Sequence, residues 1–477
     1  MGETTRYFYG ITLWALCSPF QYGYHTAALN QIQGPLTCQS SASIPLPLPC
    51  IEMSGAMFGV VTSFFTLGGL LGSSSASLVM DRVGRKGALV LNSVFIAVGS
   101  GVFAISSGVP GFLLGRLLIG FGAGLGLCAL PIFLAETAPP KIKNQVGVFN
   151  QLFITIGILA TQSLGLPLAR LQLWRYVLVA STLLAILQVA TAVFISDTPA
   201  WLAAQGRHTD ALTVSQKLWG IEESPDRSRT PSRHRRSDSD DAARSLLSDG
   251  GRDHDDTDTS TLPTPPTVPP SEPIGILQML KRRELRRAVY VVVLAMLVQQ
   301  GSGINAVIYY STDILRQVVP TSAAYISLLI SVTNVIMTFA PVLLIEGLGQ
   351  RKLLLLSIGG GLVSTALLGY GLDSGIIWLS GISILVFVAS FALGMGPIPF
   401  MLTAELVPYY AVSPLASLAL SVNWIANFIV SIAFIPLRDF LAHIGGGEES
   451  QGQGRVFFVF AFVLAACGFG LARLYKQ

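Results

Sequence analysis

The sequence predicts an all-α membrane protein in which twelve transmembrane helices form two halves of six. Three observations carry that expectation. Hydrophobic residues make up 51% of the 477 positions and charged residues only 12%, about half the charge of a soluble domain. The apolar residues gather into runs long enough to cross ~30 Å of hydrocarbon. Those runs come as six, a long polar interruption, and six more.

The first half, residues 1–202, has runs near 8–28, 56–80, 88–107, 111–135, 146–168 and 176–196. No basic region with a small-residue cleavage site precedes the first run, which therefore reads as a retained span rather than a signal peptide. Loop 30–55 is rich in Pro and Ser and lacks Lys, Arg and any glycosylation sequon. It holds Cys38 and Cys50, the two of five cysteines outside apolar runs. An oxidising compartment would bridge them; two free thiols is the other reading, and both stay open. Cys17, Cys128 and Cys467 add no metal-ligand spacing.

The interruption, residues 203–287, is expected to be a cytoplasmic loop with helical ends. Asp210–Leu218 would be capped by Thr209, and Ile276–Arg287 is strongly basic, which suits anionic lipid headgroups. Its centre, 221–273, is built from Ser, Asp, Arg and Pro and buries too little apolar area to order itself. Ser237, after Arg233-His234-Arg235-Arg236, reads as a phosphorylation site or simply as part of a solvated charge run.

The second half, residues 288–477, has runs near 288–310, 323–345, 353–372, 376–402, 411–435 and 455–474; Asp373-Ser374-Gly375 separates the third from the fourth. Lys and Arg set the orientation. With a cytoplasmic N-terminus, that side holds Arg6, Arg82, Arg85, Lys86, Lys141, Lys143, Arg351, Lys352, Arg473, Lys476 and the fourteen in the central loop. The other side holds Arg170, Arg175, Arg316, Arg438 and Arg455. Both termini are therefore expected in the cytoplasm.

The chemistry concentrates in Gln299-Gln300-Gly301-Ser302-Gly303-Ile304-Asn305, inside the seventh run. A buried amide is costly unless something satisfies it, and polar residues at membrane depth face a bundle interior or a cavity. Three amides around two glycines point to a ligand cavity, with glue between helices as the plainer alternative. The halves also echo each other. Asp81-Arg82-Val83-Gly84-Arg85-Lys86 follows the second run and Glu346-Gly347-Leu348-Gly349-Gln350-Arg351-Lys352 the eighth; Glu136 and Glu405 end the fourth and tenth. Internal repeats with a site between them are the pattern of secondary transporters. The recurring charges are expected to form ion pairs that close the cytoplasmic face in one conformational state, or else merely to set topology.

These residues resemble the sugar-porter branch of the major facilitator superfamily, which includes glucose facilitators and fungal hexose transporters. The resemblance covers essentially all twelve spans. It is carried by Gln299 to Thr312, Asp81 to Lys86, Gly394-Met395-Gly396-Pro397-Ile398-Pro399, Asn423-Trp424-Ile425-Ala426-Asn427 and Asn150-Gln151-Leu152. Asp197-Thr198-Pro199-Ala200-Trp201-Leu202 looks like a weakened form of the signature closing span six. Asp-Arg-x-Gly-Arg alone would indicate only the superfamily. The resemblance implies sugar contacts from Gln151, Gln299, Gln300, Asn305, Asn334 and Asn427, with Phe391 and Trp424 as apolar surface. Neutral amides and an aromatic ring suit a ligand with many hydroxyls and one apolar face. The glycines and prolines of span ten would mark a bend that lets its cytoplasmic half move, or a static kink.

Departures from the family pattern shape the expected mechanism. His25 stands where proton-coupled members carry Asp, and Arg116 looks like that Asp's partner. Without the carboxylate, facilitated diffusion is expected, with His25 structural; a proton symporter and a transport-inactive sugar sensor are the alternatives. Arg116, Asp81, Arg85, Glu136, Glu346, Arg351 and Glu405 are the coupling or gating candidates. Lys143, Asn144, Ala200, Val412 and Phe400 each weaken the family's inner network, and the segment common after span twelve is absent at Gln477. An outward-open state less favoured than in a typical member is expected. No nucleophile triad, paired carboxylates, metal spacing or phosphate loop is present, so enzyme chemistry is not expected, nor any cofactor. The expected partners are a monosaccharide and the lipid bilayer, without nucleic acid, one chain functioning as a monomer. The plasma membrane and a vacuolar or endomembrane address both remain open. Ser245-Leu246-Leu247 resembles a sorting dileucine with its acid, Asp241, too far upstream.

Overall fold

The computed structural model describes residues 5–38, 50–139, 142–170, 173–220, 276–316, 322–443, 452 and 454–475. The disordered centre expected at 221–273, Ser237, the dileucine and Lys141 fall outside these residues. Among the described residues the structure is helical and contains no strand.

In the first half α1 spans Arg6–Leu36, α2 Gly55–Ile105, α3 Val109–Thr137, α4 Lys143–Leu168 and α5 Arg175–Thr191. Short helices α6, Pro199–Ala204, and α7, His208–Trp219, follow. In the second, α8 spans Ile276–Lys281, α9 Arg283–Gly301, α10 Ile304–Arg316, α11 Ala323–Thr338 and α12 Ala340–Leu348. Then come α13, Gln350–Asp373, α14, Ile377–Ser390, α15, Ile398–Glu405, α16, Tyr409–His443, and α17, Arg455–Leu474.

Nine of the described segments are long and apolar enough to cross a membrane. One of them, α2, has 51 residues, roughly 77 Å at 1.5 Å per residue, and so holds two passes. They meet at Gly84, whose φ of 81° breaks the helix. Two expected spans lie outside the nine. The first, α1, is long enough but carries Gln21, Tyr22, Tyr24 and His25 at its middle and Asn30, Gln31 and Gln33 in its last turns. The eighth is broken at Phe339 into α11 and α12, because Pro341 offers no N–H to the preceding turn. The expected separation at 373–375 is present between α13 and α14.

Three local expectations are corrected. The residues 30–36, read as loop, continue α1 and are buried against the second half. The helix expected over Ile276–Arg287 breaks at Arg282, with ψ 116°, so Arg283–Arg287 open the membrane helix α9. Thr209 does not cap α7; the cap position is Arg207, whose guanidinium pairs with Asp210 at 2.8 Å.

Small residues let the helices touch. Gly68 and Gly72 of α2 face the carbonyls of Leu117 and Phe121, while Gly120 and Gly124 of α3 face those of Phe65 and Gly69. A Cβ at any of the four would strike the facing backbone, so this seam depends on them. Large apolar side chains such as Leu183, Ile186, Leu187, Trp378 and Phe462 are exposed around the bundle, as a lipid-facing perimeter requires. Cys38 and Cys50 are joined, with sulfurs 2.16 Å apart, and Ile51 N–H donates to Leu36 O at 3.0 Å. The bundle thus has a disulfide face and, opposite, a terminal face where Thr5 N–H reaches Leu218 O and Arg287 reaches Leu474 O.

Candidate functional site

The feature that stands out is the break between α9 and α10. Gly303 has φ 81°, and a Cβ there would sit 2.6 Å from the Phe460 ring, so a glycine is required on both counts. Just before the break, Gln299 Nε2 donates to the carbonyls of Met395 at 3.0 Å and Gly396 at 2.8 Å. The Met395 carbonyl needs such a donor, because Pro399, one turn on, has no N–H. Here span ten runs through a π-helical turn at Phe391–Met395 before α15 restarts at Ile398. Gln299 Oε1 also accepts from Asn423 Nδ2 at 2.6 Å. One amide therefore joins α9, the break in span ten and α16.

The neighbouring candidates close on each other. Asn305 Nδ2 donates to Gln300 Oε1 at 2.5 Å across the break. Asn427 meets the Tyr309 hydroxyl at 3.3 Å and accepts from Ser431 at 3.2 Å. Trp424 is fully buried at the seam between halves, edge-on to Tyr22 and Phe65 of the first half with centroids 5.9 and 6.0 Å away. Gly69 makes room for it, since a Cβ there would touch the indole at 2.5 Å. The indole N–H is buried without an acceptor. Phe391 is buried in the π-helical turn. Gln151 lies half-buried on α4 and shares none of these bonds.

Asn334 belongs to a second cluster, nearer the disulfide face. It lines a cavity of about 10 Å³ with Gln162, Ser311, Ser327 and Ser331, room for a single water-sized group. The roof is a clasp between halves. Asn30 Nδ2 donates to Ser311 at 2.7 Å and Ser327 at 3.0 Å, and Asn30 Oδ1 accepts from Thr312 N–H at 3.1 Å. Gln31 donates to Ala324 O at 3.1 Å, and Gln162 to Ser327 at 3.4 Å. None of Asn30, Gln31, Gln162 and Ser327 stood out in the sequence, where a lone amide or serine in or beside a span is ordinary.

His25 and Arg116 lie in the first half. Ser181 Oγ donates to Gln21 Oε1 at 2.8 Å, so His25 Nε2, 2.6 Å from Ser181, is the donor in that pair. Arg116, 1% exposed, donates to His25 O at 2.9 Å and Thr62 O at 3.5 Å and stacks 4.6 Å over Phe65. The guanidinium thus meets the backbone of His25, not its ring.

At the terminal face Arg85 pairs with Glu136 at 3.0 Å, and Glu136 also accepts from the Thr198 hydroxyl. Asp197 accepts from the backbone N–H groups of Arg85 and Lys86 at 3.2 Å and Thr198 at 2.8 Å. Burial pushes its carboxyl above the usual range, partly offset by those donors and the Arg85 charge. Asp197, not Asp81, completes the network; Asp81 is exposed. A side chain at Gly84 would strike the Asp197 carboxylate. In the second half Glu405 accepts from Gln350 at 2.6 Å, while Arg351 donates to Ala472 O at 3.3 Å. The side chain of Glu346 lies outside those described. These bonds join helices within one half, whereas the clasp at the other face joins the two halves. Among the described residues no group of three His, Cys, Asp or Glu could hold a metal.

Residues 11–473 match the family described as "Sugar (and other) transporter". The chain is 28% identical over 457 residues to "Vacuolar protein sorting-associated protein 73" of Saccharomyces cerevisiae, covering 93% of this chain and 88% of that one. It is 29% identical over 448 residues to "Solute carrier family 2, facilitated glucose transporter member 3" of Ovis aries, covering 90% and 84%. Its fold is similar to the "Partially occluded inward open conformation of the xylose transporter XylE from E. coli", with a TM-score of 0.71 at 19% identity over 99% and 100% of the two chains.

Proposed function

The chain belongs to the sugar (and other) transporter family, and from that premise we propose that it moves a monosaccharide, a hexose such as glucose, by facilitated diffusion. The observation that carries this is the buried cluster of neutral amides in the second half, Gln299, Gln300, Asn305 and Asn427, beside Trp424, whose ring meets Tyr22 and Phe65 of the first half. Amides both donate and accept, so they match hydroxyls of either role, and Trp424 offers a face to ring carbons. The name of the sheep relative speaks of glucose.

Transport proceeds by alternating access, one half rocking against the other around that seam. Breaking the Asn30 clasp opens the disulfide face. The Arg85–Glu136–Asp197 network keeps the loop between the two passes of α2 attached to the end of α5, so the first half moves as a unit. Passive transport follows from His25: among the described residues no carboxylate stands beside Arg116, whose charge is held by two carbonyls and a ring. The terminal face is cytoplasmic, from its excess of Lys and Arg, and the disulfide loop faces an oxidising side, outside the cell or inside a vacuole or endomembrane compartment. The units are 1–202, the loop 203–287 and 288–477, one chain sufficing and no catalysis being involved.

Radiolabelled glucose uptake in cells lacking their own hexose transporters tests the reading. Saturable uptake competed by unlabelled hexoses is expected. Expression at the membrane with no uptake of any sugar would contradict it and favour a sensor.

A further inference from the structure

We propose that the corner between α8 and α9 docks an anionic phospholipid of the adjacent leaflet, with Arg283 and Arg286 on its phosphate and the outward side of α9 along its acyl chains. The surface is a stripe on α9. Leu285, Val289, Val292 and Met296 are buried, whereas Arg283, Arg286 and Tyr290 are exposed. Positions 283, 286 and 290 share one face of a helix, so the face that carries a ring also carries the guanidiniums beyond it. At 1.5 Å per residue, Arg286 lies about 6 Å and Arg283 about 10 Å past Tyr290. With the Tyr290 ring at the edge of the hydrocarbon, where Tyr gathers, the two cations enter a headgroup layer roughly 5–8 Å deep.

The neighbouring elements widen the surface. The chain turns at Arg282, and α8 leaves the line of α9 with Met279 buried and Leu277 exposed to 75%. Lys281, four residues after Leu277, lies on the same side of that turn. Arg286 Nε donates to Leu280 O at 3.4 Å, which holds its guanidinium at the corner. On α17, Arg473 stacks 4.6 Å over Phe469, an exposed ring of the perimeter, and Arg287 Nε donates to Leu474 O at 3.1 Å beside it. Residues 276–290 hold five cations and one acid, Glu284, so the field at the corner is positive. A soluble anion would meet the guanidiniums but leave Leu277 in water. A lipid brings phosphate and hydrocarbon together, which suits both parts of the surface. With the terminal face in the cytoplasm, as proposed above, the surface meets the leaflet that carries the anionic lipids. The lipid anchors the start of α9, the helix whose other end carries Gln299.

The test is native mass spectrometry of the full chain in detergent, titrated with phosphatidylserine or phosphatidylcholine, and it needs no sugar transport. The first phosphatidylserine is expected to bind about tenfold or more tightly than the first phosphatidylcholine, since each cation near the surface adds about fivefold. Arg283→Gln together with Arg286→Gln should abolish most of that preference and leave phosphatidylcholine unchanged. Arg283→Lys together with Arg286→Lys should retain it, which separates lost charge from a folding defect. Arg170→Gln, a charge lost at the disulfide face, should also leave it intact. Leu277→Gln should weaken phosphatidylserine severalfold. Equal affinity for the two lipids in the unmodified protein would overturn the proposal, as would a preference that survives the double Gln substitution. Displacement of the lipid by inorganic phosphate, with Leu277→Gln silent, would assign the corner to a soluble anion instead. Phosphatidylserine binding that appears only after residues 253–258 are deleted would assign it to the chain's own Asp253, Asp255, Asp256 and Asp258, and would equally overturn it.

Discussion

Gln299 supplies the donor that Pro399 lacks, and it does so at the π-helical turn of span ten. Replacing it by Leu strands the carbonyls of Met395 and Gly396 and the amide of Asn423, each at about 1–3 kcal/mol when buried. Gln299→Leu should therefore lower both the thermal midpoint in detergent and glucose uptake, the latter by more than tenfold. Unchanged values of both would mean that the amide serves neither the bend nor the ligand. Residues of this kind are legible in sequence because three amides in an apolar run are hard to explain otherwise. Gln162 and Ser331 are not, since each is a single polar residue of an ordinary kind, and only the packing of four helices puts them around one cavity. Asp197 sits in a motif that the sequence did display. Its role there depended on the break at Gly84 arriving beside it, which no local pattern encodes.

Among the helices, lengths and most breaks follow from composition, while the ends do not. The last turns of α1 read as loop because Asn30, Gln31 and Gln33 are polar. They are helical and buried because Ser311, Ser327 and Ala324 of the second half satisfy two of them, and those partners lie almost 300 residues away in the chain. The clasp makes a prediction about how α1, α10 and α11 move together. Asn30→Ala removes three bonds between halves, each contributing about 1 kcal/mol, and should shift the resting population toward opening at the disulfide face by roughly tenfold or more. A cysteine placed at Ala324, with Cys17, Cys128 and Cys467 replaced, should then react several times faster with a membrane-impermeant maleimide added from that side. No change in rate would show that the clasp does not hold this face shut.

Across the whole molecule, six-plus-six organisation and the bias of Lys and Arg were readable from the chain, but the setting of one half against the other was not. That setting is closed by hydrogen bonds at the disulfide face and by Trp424 packed on Tyr22 and Phe65 at its middle, while the terminal-face networks tie helices within each half. The recurring terminal charges, expected to close that face in one conformational state, bond within each half here: Arg85 pairs with Glu136, Gln350 donates to Glu405 and Arg351 donates to a backbone carbonyl. The account's central claim is passive movement of a neutral sugar through this seam, with Arg116 held by carbonyls and His25 tied to Ser181. The direct measurement is labelled glucose entry into proteoliposomes with and without an imposed pH gradient, with external pH recorded. The account predicts equal final concentrations inside and out under both conditions and no sugar-dependent alkalinisation. Accumulation above the external concentration that requires the gradient, abolished in His25→Ala while downhill uptake persists, would contradict it.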